Sequence, residues 1–221
     1  MSLTIATVLK LGGAHYDVSY VNHIANSIKE YVTVPYEFVC LTDETSGFST
    51  NVHKIIGLEH RWEKWWSKIE LFKPNKFFTD RVFYLDLDTI IVSNIDDMVS
   101  YNGDFLGLKD FYNMVSLGSG IMAWKCNSTK MNTIYTSFIR NANANIANHR
   151  YGDQEFIYPI IKRSMDFAQN LYPNRIVSYK KQCFDKHTGI TIPEEASIVC
   201  FHGNPRPHRI DSPVIQEHWR G

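Results

Sequence analysis

The segment Val82-Phe83-Tyr84-Leu85 carries no charged or small polar side chain and runs directly into Asp86-Leu87-Asp88. A strand with nothing hydrophilic on either side of its pleat is buried on both faces, which happens where helices cover a largely parallel sheet. The surrounding chain agrees. Leu3–Leu9 is a strand-length apolar run that stops at Gly12-Gly13, after which Val18, Val21, Ile24, Ala25 and Ile28 recur at helical spacing. Residues 36–41 read as a second strand and 52–56 as a short third. Lys64–Phe72 reads as a helix that Pro74 stops. Strands are expected at 105–108, 118–124 and 198–201, and helices at Thr129–Ile139 and 152–161. Strands alternating with helices predict an α/β fold, with a mostly parallel central sheet flanked by helices. Ligands of such sheets bind beyond the carboxyl ends of the strands, so the residues following each strand are the candidates for function.

With 221 residues and no linker-like stretch, residues 1–221 are expected to form one domain. Lys plus Arg and Asp plus Glu each number 23, which gives no basic excess for nucleic acid. No apolar run is long enough to span a bilayer, and the first residues lack the pattern of a signal peptide. Cys40, Cys126, Cys183 and Cys200 lie far apart in sequence with no CxxC pair. They read as reduced thiols, which points to the cytoplasm.

Asp86 and Asp88 stand two apart in extended chain and so project to the same side. Two carboxylates about 4 Å apart repel by roughly 4 kcal/mol at an effective dielectric near 20. A divalent cation offsets that repulsion, and Mg²⁺ or Mn²⁺ suits carboxylate and phosphate oxygens. The simpler alternative is a helix cap by Asp88 with Asp86 in solvent. Two enzyme classes place DxD after an apolar strand. Nucleotide-sugar glycosyltransferases use it to hold a metal on a diphosphate. Haloacid-dehalogenase-type phosphatases use DxDxT, with the first Asp as nucleophile. Asp86-Leu87-Asp88-Thr89 fits both, although the phosphatase motif normally follows the first strand of its domain. A non-catalytic module that binds a nucleotide sugar or glycan is a third reading.

Further motifs favour the first of these and leave the others as alternatives. Trp65-Trp66-Ser67-Lys68-Ile69-Glu70-Leu71-Phe72 precedes the acidic strand. Asn94-Ile95-Asp96-Asp97 follows it, and Ser119-Gly120, Gly152-Asp153-Gln154 and Phe201-His202-Gly203 come later. Together, from Gly12 to His208, they resemble glycogenin-like retaining glycosyltransferases of family 8. Nearer still are small bacterial and phage transferases of that kind. The resemblance implies a GT-A fold, that of nucleotide-diphospho-sugar transferases, with a UDP-sugar donor and retention of anomeric configuration. It implies Mn²⁺ or Mg²⁺ held by Asp86, Asp88 and His202. It places Asp153 and Gln154 at the transferred sugar, as catalytic residues. Gly12, Tyr16, Lys68, Asp86, Leu87, Asp88, Ser119, Gly203 and Arg206 become donor-binding residues. The acceptor is left open.

Two departures matter. Gly12-Gly13 replaces a polar turn after the first strand. Arg206-Pro207-His208 replaces the family's Lys-Pro-Trp, which moves the phosphate contact to Arg206. On their own chemistry these residues have plainer readings as well. Lys68 among apolar neighbours is either a snorkelling lysine or a counter-charge for phosphates. Asp153 is either a favourable first-turn carboxylate or a contact to the sugar. Lys180 is a further, weaker phosphate candidate. Trp62, Trp65 and Trp66 are expected to divide between core and acceptor rim, and Tyr16 to stack on a base.

Overall fold

The structure, a computed structural model, describes residues 2–12, 16–74, 78, 80–126 and 128–219. Gly13, half of the Gly12-Gly13 loop, lies outside the described residues. In chain order the elements begin β1 (Leu3–Leu9), α1 (Val18–Tyr31), β2 (Glu37–Thr42) and β3 (Lys54–Gly57). A 3₁₀ helix at Lys64–Phe72 leads to β4 (Arg81–Leu85), β5 (Thr89–Ile91), α2 (Asp96–Val99), β6 (Phe105–Lys109) and β7 (Leu117–Lys125). Then come α3 (Thr129–Ile139), α4 (Ala142–Asn148), α5 (Asp153–Ile161), β8 (Met165–Phe167), α6 (Ala168–Leu171) and β9 (Ile176–Ser178). A π-helical turn, Tyr179–Cys183, precedes β10 (Phe184–Asp185), β11 (Gly189–Ile190), β12 (Ile198–Cys200) and α7 (Pro213–Gln216).

The main sheet has the order β3-β2-β1-β4-β7-β6-β8. The strands from β3 to β4 run parallel, β7 is antiparallel to both its neighbours, and β8 is parallel to β6. The sheet is therefore mostly parallel, as the apolar runs predict. Its two faces are buried by different partners. Phe83 and Leu85 of β4 join a cluster with Ile24 and Ile28 of α1, while Val82 and Tyr84 pack with Ile69, Phe72, Ile134 and Ile157. That is why β4 has no charged or small polar side chain from Val82 to Leu85. All four cysteines are free, and no helix among the described residues is long and apolar enough to cross a membrane.

Two elements differ from their sequence expectations. Lys64–Phe72 winds as 3₁₀ helix, and every residue from Trp66 to Phe72 is buried. Its polar side chains hold the preceding loop: Ser67 donates to the Trp62 carbonyl, and the Glu70 carboxylate accepts from the Glu59 and His60 amides. The last strand also has a different place. Reading residues 198–201 as a strand suggests that His202 arrives at the edge of the sheet that holds Asp86 and Asp88. Instead β12 belongs to a second sheet, β5-β12-β9, antiparallel to β5 and parallel to β9. The Phe201 amide bonds the Asp88 carbonyl at 3.0 Å, so the two sheets are joined at the end of the acidic segment.

Candidate active site

The carboxyl end of β4 opens into a cleft of about 560 Å³, whose walls include Tyr16, Lys68, Asp86, Leu87, Asp88, Ser119, Asp153, Gln154, His202, Gly203 and Arg206. Eleven of the twelve residues that the sequence assigns to the site thus line one cavity. Gly12 does not line it: it is exposed, in the loop after β1, with φ 84°.

Lys68 is the centre of the arrangement. Its ammonium lies 3.2 Å from Asp86 Oδ1 and 3.4 Å from Asp153 Oδ2, and donates to Ser119 Oγ at 3.0 Å. The snorkelling reading fails, because the side chain is 7% exposed. Burial alone would lower its pKa, but the charges of Asp153 and Asp86 outweigh this and hold it charged. Burial pushes the Asp153 carboxyl upward against the pull of Lys68 and Ser119. Asp153 Oδ2 is buried with no hydrogen-bond partner among the described residues.

Two glycines make this packing possible. A Cβ on Gly120 would stand 3.3 Å from Asp86 Oδ2, and the Gly120 carbonyl accepts from the Asp86 amide at 2.8 Å. Gly152 has φ 87°, and a Cβ there would meet the Trp65 indole at 2.3 Å. Trp65 is therefore the tryptophan at the rim, 43% exposed. Trp66 is core, and Trp62 is stacked on His60.

The second carboxylate has its own partners. Asp88 Oδ2 accepts from the Tyr16 hydroxyl at 2.9 Å and from the Arg206 guanidinium, which rests 4.6 Å over the Tyr16 ring. Arg206 covers one face of that ring and Tyr20 packs against it at 5.0 Å, which works against the expected stacking of a base on Tyr16. The Asp88 carboxyl is pushed up to about 7, first by burial and then by the charge of Asp86, with Arg206 opposing. Protonation is thus favoured where two carboxylates converge with too little positive charge between them. Oxygen donors in that condition fit Mg²⁺ or Mn²⁺.

His202 contributes differently from the expectation. Its Nε2 is 2.6 Å from Ser178 Oγ, and its ring stacks on Phe111 and meets Tyr112 edge-on. Burial and then the charge of Lys180 hold its pKa below the ordinary value. Among the described residues no three His, Cys, Asp or Glu side chains are grouped closely enough to hold a metal, so Asp86, Asp88 and His202 share the cleft without forming a ligand cluster. Three participants were missed in the sequence. Tyr84 donates to Asp86 Oδ1, and Asp110 accepts from Gln154 at 3.3 Å. Ser178 orients His202. Tyr84 was legible, since it lies two residues before Asp86 on the same side of a strand. Asp110 and Ser178 come from elements with no local signature.

No family model matches the sequence, and no curated protein matches it. Solved structures do. The glycosyltransferase GlyE of Streptococcus pneumoniae TIGR4 superposes with a TM-score of 0.70 at 16% identity, over 99% of this chain and 59% of that one. This chain therefore spans well under two thirds of GlyE. The galactosyltransferase LgtC, in complex with donor and acceptor sugar analogues, gives 0.67 at 12% identity, over 98% and 95% of the two chains. An active-site glutamine-to-glutamate variant of LgtC gives 0.69 at 11%. The chain has the GT-A fold of these glycosyltransferases.

Proposed function

We propose that the protein is a metal-dependent glycosyltransferase, one domain spanning residues 1–221 and working in the cytoplasm. It takes a sugar from a UDP-sugar and transfers it with retention, in the manner of the glycogenin-like enzymes. One observation carries the proposal. On a fold shared with LgtC, Lys68 draws the carboxylates of Asp86 and Asp153 together beside Asp88. The phosphatase reading is disfavoured by position: its motif normally follows the first strand of its domain, whereas β1, β2 and β3 all precede β4.

The roles follow from position. Asp86 and Asp88 would hold Mn²⁺ or Mg²⁺, with His202 as a third ligand once it leaves Ser178. Bound there, the cation supplies Lewis-acid stabilisation of the departing diphosphate. Arg206 and the loop at Gly203 face the phosphates, and Leu87 closes the floor beneath them. Asp153, held by its ion pair with Lys68, presents its carboxylate to the positive charge that develops on the sugar. Gln154, steadied by Asp110, bonds a sugar hydroxyl. Lys68 and Ser119 hold Asp86 and Asp153 at fixed spacing, so neither must reorganise during the reaction.

The test is thermal denaturation with UDP and Mn²⁺. A ligand that binds only the folded state raises the melting temperature by mass action, by about 2.7 kcal/mol of stability at a hundred times its Kd. UDP with Mn²⁺ is expected to do this, and a chelator to reverse it. The absence of a shift with any nucleoside diphosphate and metal overturns the proposal.

A further inference from the structure

The cations of the cleft are almost all committed. Lys68 serves Asp86 and Asp153, and Arg206 serves Asp88. Lys10 is paired with Asp43, and Lys64 lies over the Trp65 ring. Four carboxylates, Asp86, Asp88, Asp110 and Asp153, against Lys68 and Arg206 leave the site two negative charges in excess before any ligand arrives. A diphosphate adds more, and burial of like charge at this depth is costly without a counter-ion.

Lys180 lies outside the cleft wall, behind Gly203. It sits in the π-helical turn Tyr179–Cys183, and the residues around it are fixed. Tyr179 is buried and stacks on Phe201 at 4.4 Å, and Gln182 accepts from the Ser178 amide at 2.9 Å. Lys181 is anchored to the Phe111 carbonyl and the Tyr112 ring. Lys180 itself is half-buried, and its ammonium has no hydrogen-bond or ion-pair partner among the described residues. It points across Gly203, where a Cβ would stand 3.5 Å from Nζ. Gly203 has φ 74° and lines the cleft. The turn therefore holds an uncommitted ammonium over a backbone loop with no side chain in between. Single π-turns of this kind recur where a side chain must be aimed.

We infer that Lys180 binds the diphosphate of the donor, as the protein's own counter-charge for it. This rests on the transferase reading above. Calorimetric titration of the full chain with UDP and with uridine, at low and moderate salt in the presence of Mn²⁺, tests it. Lys180→Ala is expected to weaken UDP binding about tenfold, the cost of one charge-assisted hydrogen bond. Uridine affinity stays unchanged, the salt dependence of UDP binding becomes shallower, and Lys180→Arg retains most of the affinity. Lys186→Ala, an exposed lysine of the neighbouring turn, serves as the control and leaves UDP binding as it was. If the wild type binds UDP and Lys180→Ala binds it equally well, the inference is overturned while the transferase reading stands. It is overturned too if uridine affinity falls in parallel, because the lysine then acts through structure alone. If the wild type binds neither UDP, ADP, GDP nor CDP, both fall together.

Discussion

Gly152 does two things at once. Its φ of 87° is open to glycine at little cost, and the absence of a side chain lets Trp65 lie against the backbone immediately before Asp153. Alanine there meets both penalties, left-handed backbone of about 1–2 kcal/mol and overpacking of about 1–3 kcal/mol. Gly152→Ala is therefore expected to lower stability measurably and to impair transfer more than UDP binding, because it displaces the start of α5. Equal melting temperatures for variant and wild type would show that the indole moves aside freely. Asp153 itself separates charge from shape. Asp153→Asn keeps the volume and one acceptor oxygen but removes the charge, so fold and UDP affinity should persist while transfer and donor hydrolysis fall about a hundredfold or more. Collapse of UDP affinity instead would place this residue at the phosphates. Asp153→Ala is a harsher change: it removes one of the two partners of a buried lysine, a class of change that costs about 3–5 kcal/mol.

At the scale of elements, the signals that were legible are local ones. The burial of β4, the period of α1 and the punctuation by Gly12 and Pro74 each depend on a few neighbouring residues. Asp86, Asp88, Asp153 and Gln154 were legible because they follow strands or begin a helix. The second sheet was not legible, because β5 and β9 are three residues each and their pairing with β12 spans long stretches of sequence. Short strands carry too few positions for a period, and register across such distances has no sequence signature. The same limit applies to Asp96. In sequence it is one carboxylate of an acidic turn. In the structure it ties the end of α1 to the start of α2, with its oxygens accepting from the Thr33 amide at 2.8 Å and from the side chains of Thr33 and Asn94. Partial burial works against the charge, but these hydrogen bonds outweigh it and hold the carboxyl at about 2. A depressed pKa contributes stability that is present above the unfolded value near 3.9 and disappears as pH falls towards 2. Asp96→Asn should therefore melt below the wild type at pH 7, and the gap should close between about pH 4 and pH 2. A gap independent of pH would mean that the charge of Asp96 plays no part.

Across the whole molecule, the site is assembled by a junction between two sheets. Asp86 and Asp88 follow a strand of the main sheet, whereas His202, Gly203 and Arg206 follow β12 of the second. The two are stitched by the Phe201–Asp88 backbone bond and by Arg206 on Asp88. In the proposed function a divalent cation is bound from both sides of that junction, so it should act as a clamp as well as a reactant. Neutral imidazole is an acceptable ligand beside two carboxylates, and a ligand drawn from the second sheet makes metal affinity depend on how firmly that sheet is docked. Mn²⁺ with UDP should therefore slow amide hydrogen exchange in residues 198–206 as well as around 86–91, because local opening of either segment then costs the binding energy. His202→Ala should weaken Mn²⁺ binding in the presence of UDP and remove the protection at 198–206, while the segment at 86–91 keeps part of its own. His149→Ala, outside the cleft wall with Nδ1 on the Asn145 carbonyl, is the control and should change neither. Unaltered Mn²⁺ affinity in His202→Ala, read by calorimetry or paramagnetic resonance, would leave the cation to Asp86 and Asp88 alone. It would return His202 to the position it has beside Ser178, a ring that shapes the cleft wall without touching the metal.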